Sequence, residues 1–118
     1  MPPAPIVFFD IAAPGLSRQS EFYSKVFDWK IDETGAVNVP FVGDPNVHGT
    51  LRADPAEKML YLGVADINAT LEAVEANGGS IDQPRFEVPG VVVLGLFKDP
   101  GGNRMGLVEM ENGHAKVP

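Results

Sequence analysis

The sequence predicts an α+β fold: two βαβββ units whose strands form a curved mixed β-sheet, with the helices on its outer face. Stretches of β-rich sequence alternate with stretches of helical period, so neither an all-helical nor an all-β chain fits. The order strand, helix, three short strands occurs twice. An offset of 51 residues (59 − 8) lays Phe8 on Met59, Leu16 on Ile67, Ser20 on Leu71 and Tyr23 on Val74. Identity between the halves is negligible, yet the apolar positions agree. A single unit of this kind leaves a sheet face and an edge uncovered, so it must pair with another.

Each element has its own signals. Ile6 to Ala12 is β-rich and stops at Pro14-Gly15. From Leu16 the period changes: Leu16, Phe22, Tyr23, Val26 and Phe27 fall within about 140° of a helical wheel, the stripe of an amphipathic helix packing one face into a core. Asp28 is placed just past the helix end, where a left-handed residue is commonly needed, and Trp29 folds back over that end. Short β-like pieces follow at Lys30–Asp32, Val37–Val42 and Val47–Ala53, the last two separated by the turn Gly43-Asp44-Pro45-Asn46. Ala53 to Glu57 reads as a linker. The second unit opens with the strand Lys58–Val64; Asp66 is an N-cap for a helix carrying Ile67, Thr70, Leu71 and Val74, and Asn77-Gly78-Gly79 ends it. Ser80–Asp82, Val91–Phe97, a turn at Asp99–Asn103 and Arg104–Met110 complete the unit, and the polar end ENGHAKVP is expected to fray. The boundaries are therefore units 5–53 and 57–111 within one domain, 5–111, and a tail at 112–118.

Composition excludes several classes of function. The chain of 118 residues has no cysteine, which removes disulfides, thiolate nucleophiles and thiolate metal sites. Its formal charge of −7 disfavours nucleic acid and anionic membrane surfaces as partners. No apolar run approaches a membrane span and the N-terminus lacks a secretory pattern, so a cytoplasmic location is expected. The glycine clusters at Gly78-Gly79 and Gly101-Gly102 are turn chemistry rather than a phosphate cradle.

FYSKVFDW after a first strand, DINATLEAVEANGG after a second and FKDPGGNRMGLVE near the end together resemble the vicinal oxygen chelate superfamily, the group of glyoxalase I, bleomycin-resistance proteins and extradiol dioxygenases. The likeness runs over residues 5 to 111 and departs at Asp28, where the family usually has Gly. It implies that each unit curls into a half-open cup and that the cups face each other. In enzymes of the family, inward His, Gln and Glu side chains from the first and last strands hold a divalent metal, which needs such nitrogen and oxygen donors. Carried onto this chain, those positions are Phe8, Met59 and Gly106, with Gly49 as the fourth if Asn46 is aligned with Asn103. None can coordinate a metal of this kind, so neither metal nor cofactor is expected.

The remaining candidates sit beside these positions. His48 precedes Gly49 by one residue, and strand alternation aims it out of the cup, although a one-residue slip of the alignment brings it inside. Asp10 shares a face with Phe8 and is expected inward, as a general base, a partner for a ligand amine or a local hydrogen-bond acceptor. Tyr61, level with Asp10 in the repeat, points the same way. Glu109, Glu111, Arg52 and Arg104 are read as solvated, and His114 as part of the tail. The expected function is metal-free binding of a small, largely apolar or aromatic molecule in the cup, against Phe8, Asp10, His48, Met59, Tyr61 and Gly106. The alternative is an enzyme of the same superfamily, a lyase, isomerase or dioxygenase acting on a small carbonyl or aromatic substrate, with Asp10 as its catalytic candidate. The resemblance also implies a homodimer.

Overall fold

The structure, a computed structural model, describes residues 3–39 and 47–118, of Val47 the backbone only. In chain order the elements are β1 (Ile6–Ala13), α1 (Leu16–Phe27), β2 (Ala36–Val39), β3 (Val47–Ala53), β4 (Glu57–Val64), α2 (Ile67–Ala76), β5 (Ser80–Val88), β6 (Val92–Lys98), β7 (Arg104–Glu111) and β8 (His114–Ala115). The turn expected at Gly43-Asp44-Pro45-Asn46 and the stretch expected to carry the preceding strand to Val42 lie outside the described residues. Two compact units result: Phe8–Met59, and Leu60–Pro118 joined by the N-terminal residues up to Val7. The join is a backbone bond from the Gly63 N–H to the Pro5 carbonyl, 2.9 Å.

In the unit Phe8–Met59 the strand order is β2-β3-β1, with β1 parallel to β3 and β2 antiparallel to it. The strand expected at Lys30–Asp32 shrinks to one bridge, Ile31 to Val37. Asp32 ends it. Its Oδ1 accepts from the Thr34 N–H, the Thr34 hydroxyl and the Ala36 N–H, which folds the chain into a turn instead of a strand. Asp28 does adopt the left-handed conformation (φ 57°) and gives its N–H to the Ser24 carbonyl. Trp29 then stacks on Tyr23, with ring centroids 4.7 Å apart and planes 14° from parallel, and lies 5.9 Å from Phe9.

Helix α1 corrects the expectation that its whole apolar stripe is core. It has no fully buried residue. Phe22, Val26 and Phe27 are 53%, 57% and 58% exposed. The line of contact runs through the half-buried Leu16, Gln19, Ser20 and Tyr23, while Phe22 and Val26 sit about 100° and 60° around the helix from Tyr23. A stripe that wide extends past the strands that α1 lies on.

In the unit Leu60–Pro118 the order is β4-β7-β6-β5, with β4 parallel to β7 and the other pairs antiparallel. The core is conventional: Ile67 and Leu71 of α2 sit on Val93 and Leu107, flanked by Leu62, Val64 and Phe97. The Asp66 side chain caps α2 by accepting from the Ala69 N–H, 3.0 Å, as the sequence predicts. At its end Gly78 takes φ 94° and the Gly79 N–H reaches the Val74 carbonyl, 2.9 Å. Strand β5 runs well past Asp82, through Pro84, to Val88. Proline lacks an N–H, and the register with β6 shifts between Gln83 and Phe86, on either side of it.

The tail is ordered, contrary to expectation. Asn112 and Gly113 both have positive φ (53° and 80°), the requirement of a tight two-residue hairpin, and they return the chain as β8 against Met110 and Glu111. The Lys116 N–H donates to the Glu109 carbonyl, 2.8 Å. Among the described residues no helix is long and apolar enough to cross a membrane.

Candidate functional site

In each unit the strands have one face under the helix and one face free of it, and the register decides which side chains share the free face. In the first unit Phe9 pairs with Gly49 and Asp10 with Thr50. The Phe9 ring lies on Gly49 on the helix side, where a Cβ at Gly49 would overlap it. Gly49 therefore does not occupy a position equivalent to Gly106. Because Asp10 pairs with Thr50 as Tyr61 pairs with Gly106, the equivalent residue is Thr50. His48, two residues before Thr50, shares the helix-free face with Phe8, Asp10 and Arg52. The expectation that His48 points away from that face is thus corrected; the slip by one is the arrangement found. His48 is exposed, and it borders an open groove of about 650 Å³ that runs along β2 past Trp29 and Asn38.

Asp10 is 4% exposed and does not stand alone. The Arg52 Nε donates to both its oxygens at 3.1 and 3.0 Å, and the same guanidinium reaches Asp54 at 2.8 Å and Glu57 at 3.1 Å. One cation thus serves three carboxylates, and the reading of Arg52 as a solvated strand-end charge is wrong. What brings the two together is the register of β1 on β3, which pairs Asp10 with Thr50 and so sets Arg52, two residues on, on the same face. Burial pushes the Asp10 carboxyl above its usual range, Arg52 pulls it down by hydrogen bond and charge, and Glu57 and Asp54 push it up; the net shift is upward. A carboxyl whose folded pKa lies above its unfolded value of 3.8 adds stability below that value and loses it as pH rises through the folded pKa. Arg52 keeps two carboxylates when Asp10 is removed, so no buried cation is orphaned. Asp10→Asn is therefore expected to leave stability at pH 7 unchanged or raise it by about 1 kcal/mol. Denaturant midpoints measured from pH 3 to 7 should show the variant gaining on the wild type as pH rises; a loss of more than about 2 kcal/mol at pH 7 would mean that the pairing outweighs the burial.

In the second unit Tyr61 lies across Gly106, where a Cβ would overlap its ring. Met59, two residues earlier on β4, is buried. On the same helix-free face stand Leu94, opposite Val108, and Leu96, opposite Gly106, a pair of leucines that the run VVVLGLF concealed because both of its faces are apolar. Leu96 and Val108 are buried and Leu94 is half-buried. Beside the phenol, Arg104 stands on this face two residues before Gly106, and its Nε donates to Asp82 at 2.8 Å, so it is not the solvated charge expected from sequence.

Glu109, read from sequence as solvated, is 7% exposed and faces the other way, toward α2. Its Oε1 accepts from the Ile67 N–H at 3.2 Å, and Arg85 donates to its Oε2 at 2.6 Å. That places Glu109 at the helix start, where a carboxylate satisfies an otherwise orphaned donor. The Arg85 hydrogen bond is the main cause that holds its carboxyl below the usual range, against burial.

The divalent metal implied by the resemblance does not fit the residues present. Phe8, Thr50, Met59 and Gly106 offer a ring, a hydroxyl, a thioether and no side chain. Among the described residues no three His, Asp or Glu side chains come together in a way that could hold an ion.

Solved structures bear on the fold. The chain is similar to methylmalonyl-CoA epimerase in complex with methylmalonyl-CoA, with a TM-score of 0.64 at 15% identity over 96% of this chain and 99% of that one. It is also similar to a protein from Legionella pneumophila described as NAD-dependent benzaldehyde dehydrogenase (0.65, 14%, 88% and 98%). Methylmalonyl-CoA epimerase from Mycobacterium tuberculosis scores 0.57 at 14% identity, covering 90% and 87%. At such identities the likeness establishes the fold alone. No curated protein matches the chain. The profile of the Glyoxalase/Bleomycin resistance protein/Dioxygenase superfamily matches residues 6–107, nearly the whole of both βαβββ units, and the chain belongs to that superfamily.

Proposed function

We propose that the chain binds a small, largely apolar or aromatic molecule without a metal, on the helix-free sheet face of the first unit, which carries Phe8, Asp10 and His48. One observation carries the reading: the strand positions that hold metal donors in the superfamily's enzymes hold carbon and sulphur here, with the Thr50 hydroxyl as the exception. Aromatic rings and thioethers give adaptable contact to planar ligands, and a few polar groups fix their orientation. His48 is such a group on this face, because the Asp10 carboxylate is already engaged by Arg52.

The test is a binding screen by calorimetry and thermal shift, in chelator and in added Zn, Ni, Mn or Fe, against planar aromatic compounds, small carbonyl compounds and methylmalonyl-CoA. Methylmalonyl-CoA is included because a structural neighbour holds it. An aromatic ligand should raise the melting temperature equally with and without chelator, and Phe8→Ala should weaken it about tenfold, the loss expected for one truncated aromatic contact. Met59 is too buried to accept tryptophan as a blocked-pocket control, so Phe8, half-buried, is the better position. Binding that appears only with added metal would overturn the reading. An enzymatic alternative rests on the raised carboxyl of Asp10. It requires that Asp10→Asn abolish turnover while binding survives.

A further inference from the structure

We propose that the Asn112–Gly113 bond is a modification site: the Asn112 carboxamide deamidates through a cyclic imide, and the isoaspartate that forms releases the chain after it from β7. Asparagine followed by glycine occurs twice, at Asn77-Gly78 and Asn112-Gly113. Glycine has no side chain to hinder attack by its own backbone nitrogen, so both bonds are chemically susceptible. The fold separates them. At Asn77 both reacting groups are tied down: the carboxamide donates to the Ala73 carbonyl at 2.8 Å, and the Gly78 N–H donates to the Glu75 carbonyl at 3.4 Å. Freeing them unwinds the last turn of α2, a helix anchored by the buried Ile67 and Leu71. At the hairpin neither the Asn112 carboxamide nor the Gly113 N–H has a partner among the described residues, and both residues are exposed. The closed turn fixes the Asn112 backbone at φ 53°, so ring closure waits on opening. Strand β8 is two residues long and both are exposed, which makes that opening a small local event.

In the opened turn the Gly113 nitrogen attacks Cγ of Asn112. The new N–C bond forms as the Cγ–Nδ2 bond breaks, and ammonia leaves with the proton given up by the Gly113 N–H. Water then opens the ring at either carbonyl. Attack at Cγ gives aspartate on an unchanged backbone. Attack at the main-chain carbonyl breaks the original peptide link and routes the backbone through the side chain. That isoaspartate adds a methylene to a two-residue loop whose length sets the register of Met110 with Ala115 and of Glu111 with His114. What is lost extends beyond β8. The Lys116 N–H donates to the Glu109 carbonyl at 2.8 Å, and a Pro118 oxygen accepts the Gly90 N–H at 3.1 Å, so this segment straps the end of β7 to the turn between β5 and β6.

Storage of the purified chain at mildly alkaline pH, followed by tandem mass spectrometry, tests this independently of any ligand. Asn112 should convert about tenfold faster than Asn77 in the folded protein, and the two rates should converge in denaturant. The aged protein carries one more negative charge and separates from fresh protein by anion exchange. Its isoaspartate form should exchange the Gly90 and Lys116 amide hydrogens about tenfold faster than fresh protein does, with Ala69 in α2 unchanged. Asn112→Asp gains the charge without the extra methylene and should keep that protection. Asn112→Gly suits a positive φ, has no carboxamide and should stay unmodified at the hairpin. Asn77 converting as fast as Asn112 in the folded chain overturns the proposal. So does an Asn112 that stays intact, or isoaspartate protein whose Gly90 and Lys116 amides remain protected.

Discussion

Gly35→Ala is expected to cost about 3 kcal/mol or more, the largest loss from adding one methyl group to this chain. Two independent obstacles coincide there. The backbone sits at φ 93°, which an L side chain rarely adopts. A Cβ built on it would also overlap the Leu51 carbonyl oxygen, a backbone atom that no rotamer change can move aside. Gly35's own carbonyl accepts the Leu51 N–H at 2.8 Å, so the two backbone segments are already drawn together at this point. Retreat of Leu51 would break that bond and disturb a side chain that is among the most buried in the protein. Total stabilities of small domains are about 5–15 kcal/mol, so the variant should be conspicuous in a denaturant titration. A midpoint within experimental scatter of the wild type would show that β3 is not held at Gly35. Because β3 carries His48, Thr50 and Arg52, a loosened β3 should also weaken any ligand held by the helix-free face of that unit.

Features set by local chemistry were legible in the sequence. Asp28 as a left-handed helix end, Asp66 as an N-cap and Asn77-Gly78-Gly79 as a stop each depend on a few neighbouring residues, and each is found where the pattern puts it. The errors share a different cause. Whether an apolar stripe is buried depends on what lies beneath it, and Phe22 and Val26 of α1 stay exposed. Asn112-Gly113 carries a strong hairpin signal, but the polar residues around it read as a tail, because the partner of His114-Ala115 is the end of β7 and not a strand of its own.

The site was legible to the same degree. Alternation along β1 placed Phe8 and Asp10 on one face. The pairing of β1 with β3 was beyond reach, because a hairpin alignment through Asn46 and Asn103 fixes spacing only to within a residue. One residue of slip exchanges the faces of Gly49 and His48. Ion pairs were the least legible part. Arg52 with Asp10 and Arg85 with Glu109 lie 42 and 24 residues apart, and nothing local to either member announces the other.

Glu109→Ala is expected to destabilise the second unit by about 2 kcal/mol. It removes an acceptor that the first N–H of α2 uses while buried, and it leaves Arg85 facing the space that the carboxylate filled. Glu109→Gln keeps an acceptor for the Ile67 N–H and loses only the charge, so it should cost clearly less; equal losses would locate the effect in the Arg85 pair and not in the helix cap. The pH dependence separates Glu109 from the other buried carboxylate. Its folded pKa lies below the ordinary 4.5, so its contribution is fully present above that value and is lost as pH falls through the folded pKa. Asp10, raised from 3.8, changes stability in the opposite direction with pH. In a pH titration of stability, Glu109→Gln should therefore remove part of the acid-side loss, while Asp10→Asn removes a penalty that grows toward neutral pH. The contrast follows from what surrounds two chemically similar groups. Arg85 faces Glu109 with Glu87 as its other partner, 3.6 Å away, whereas Arg52 is divided among three carboxylates.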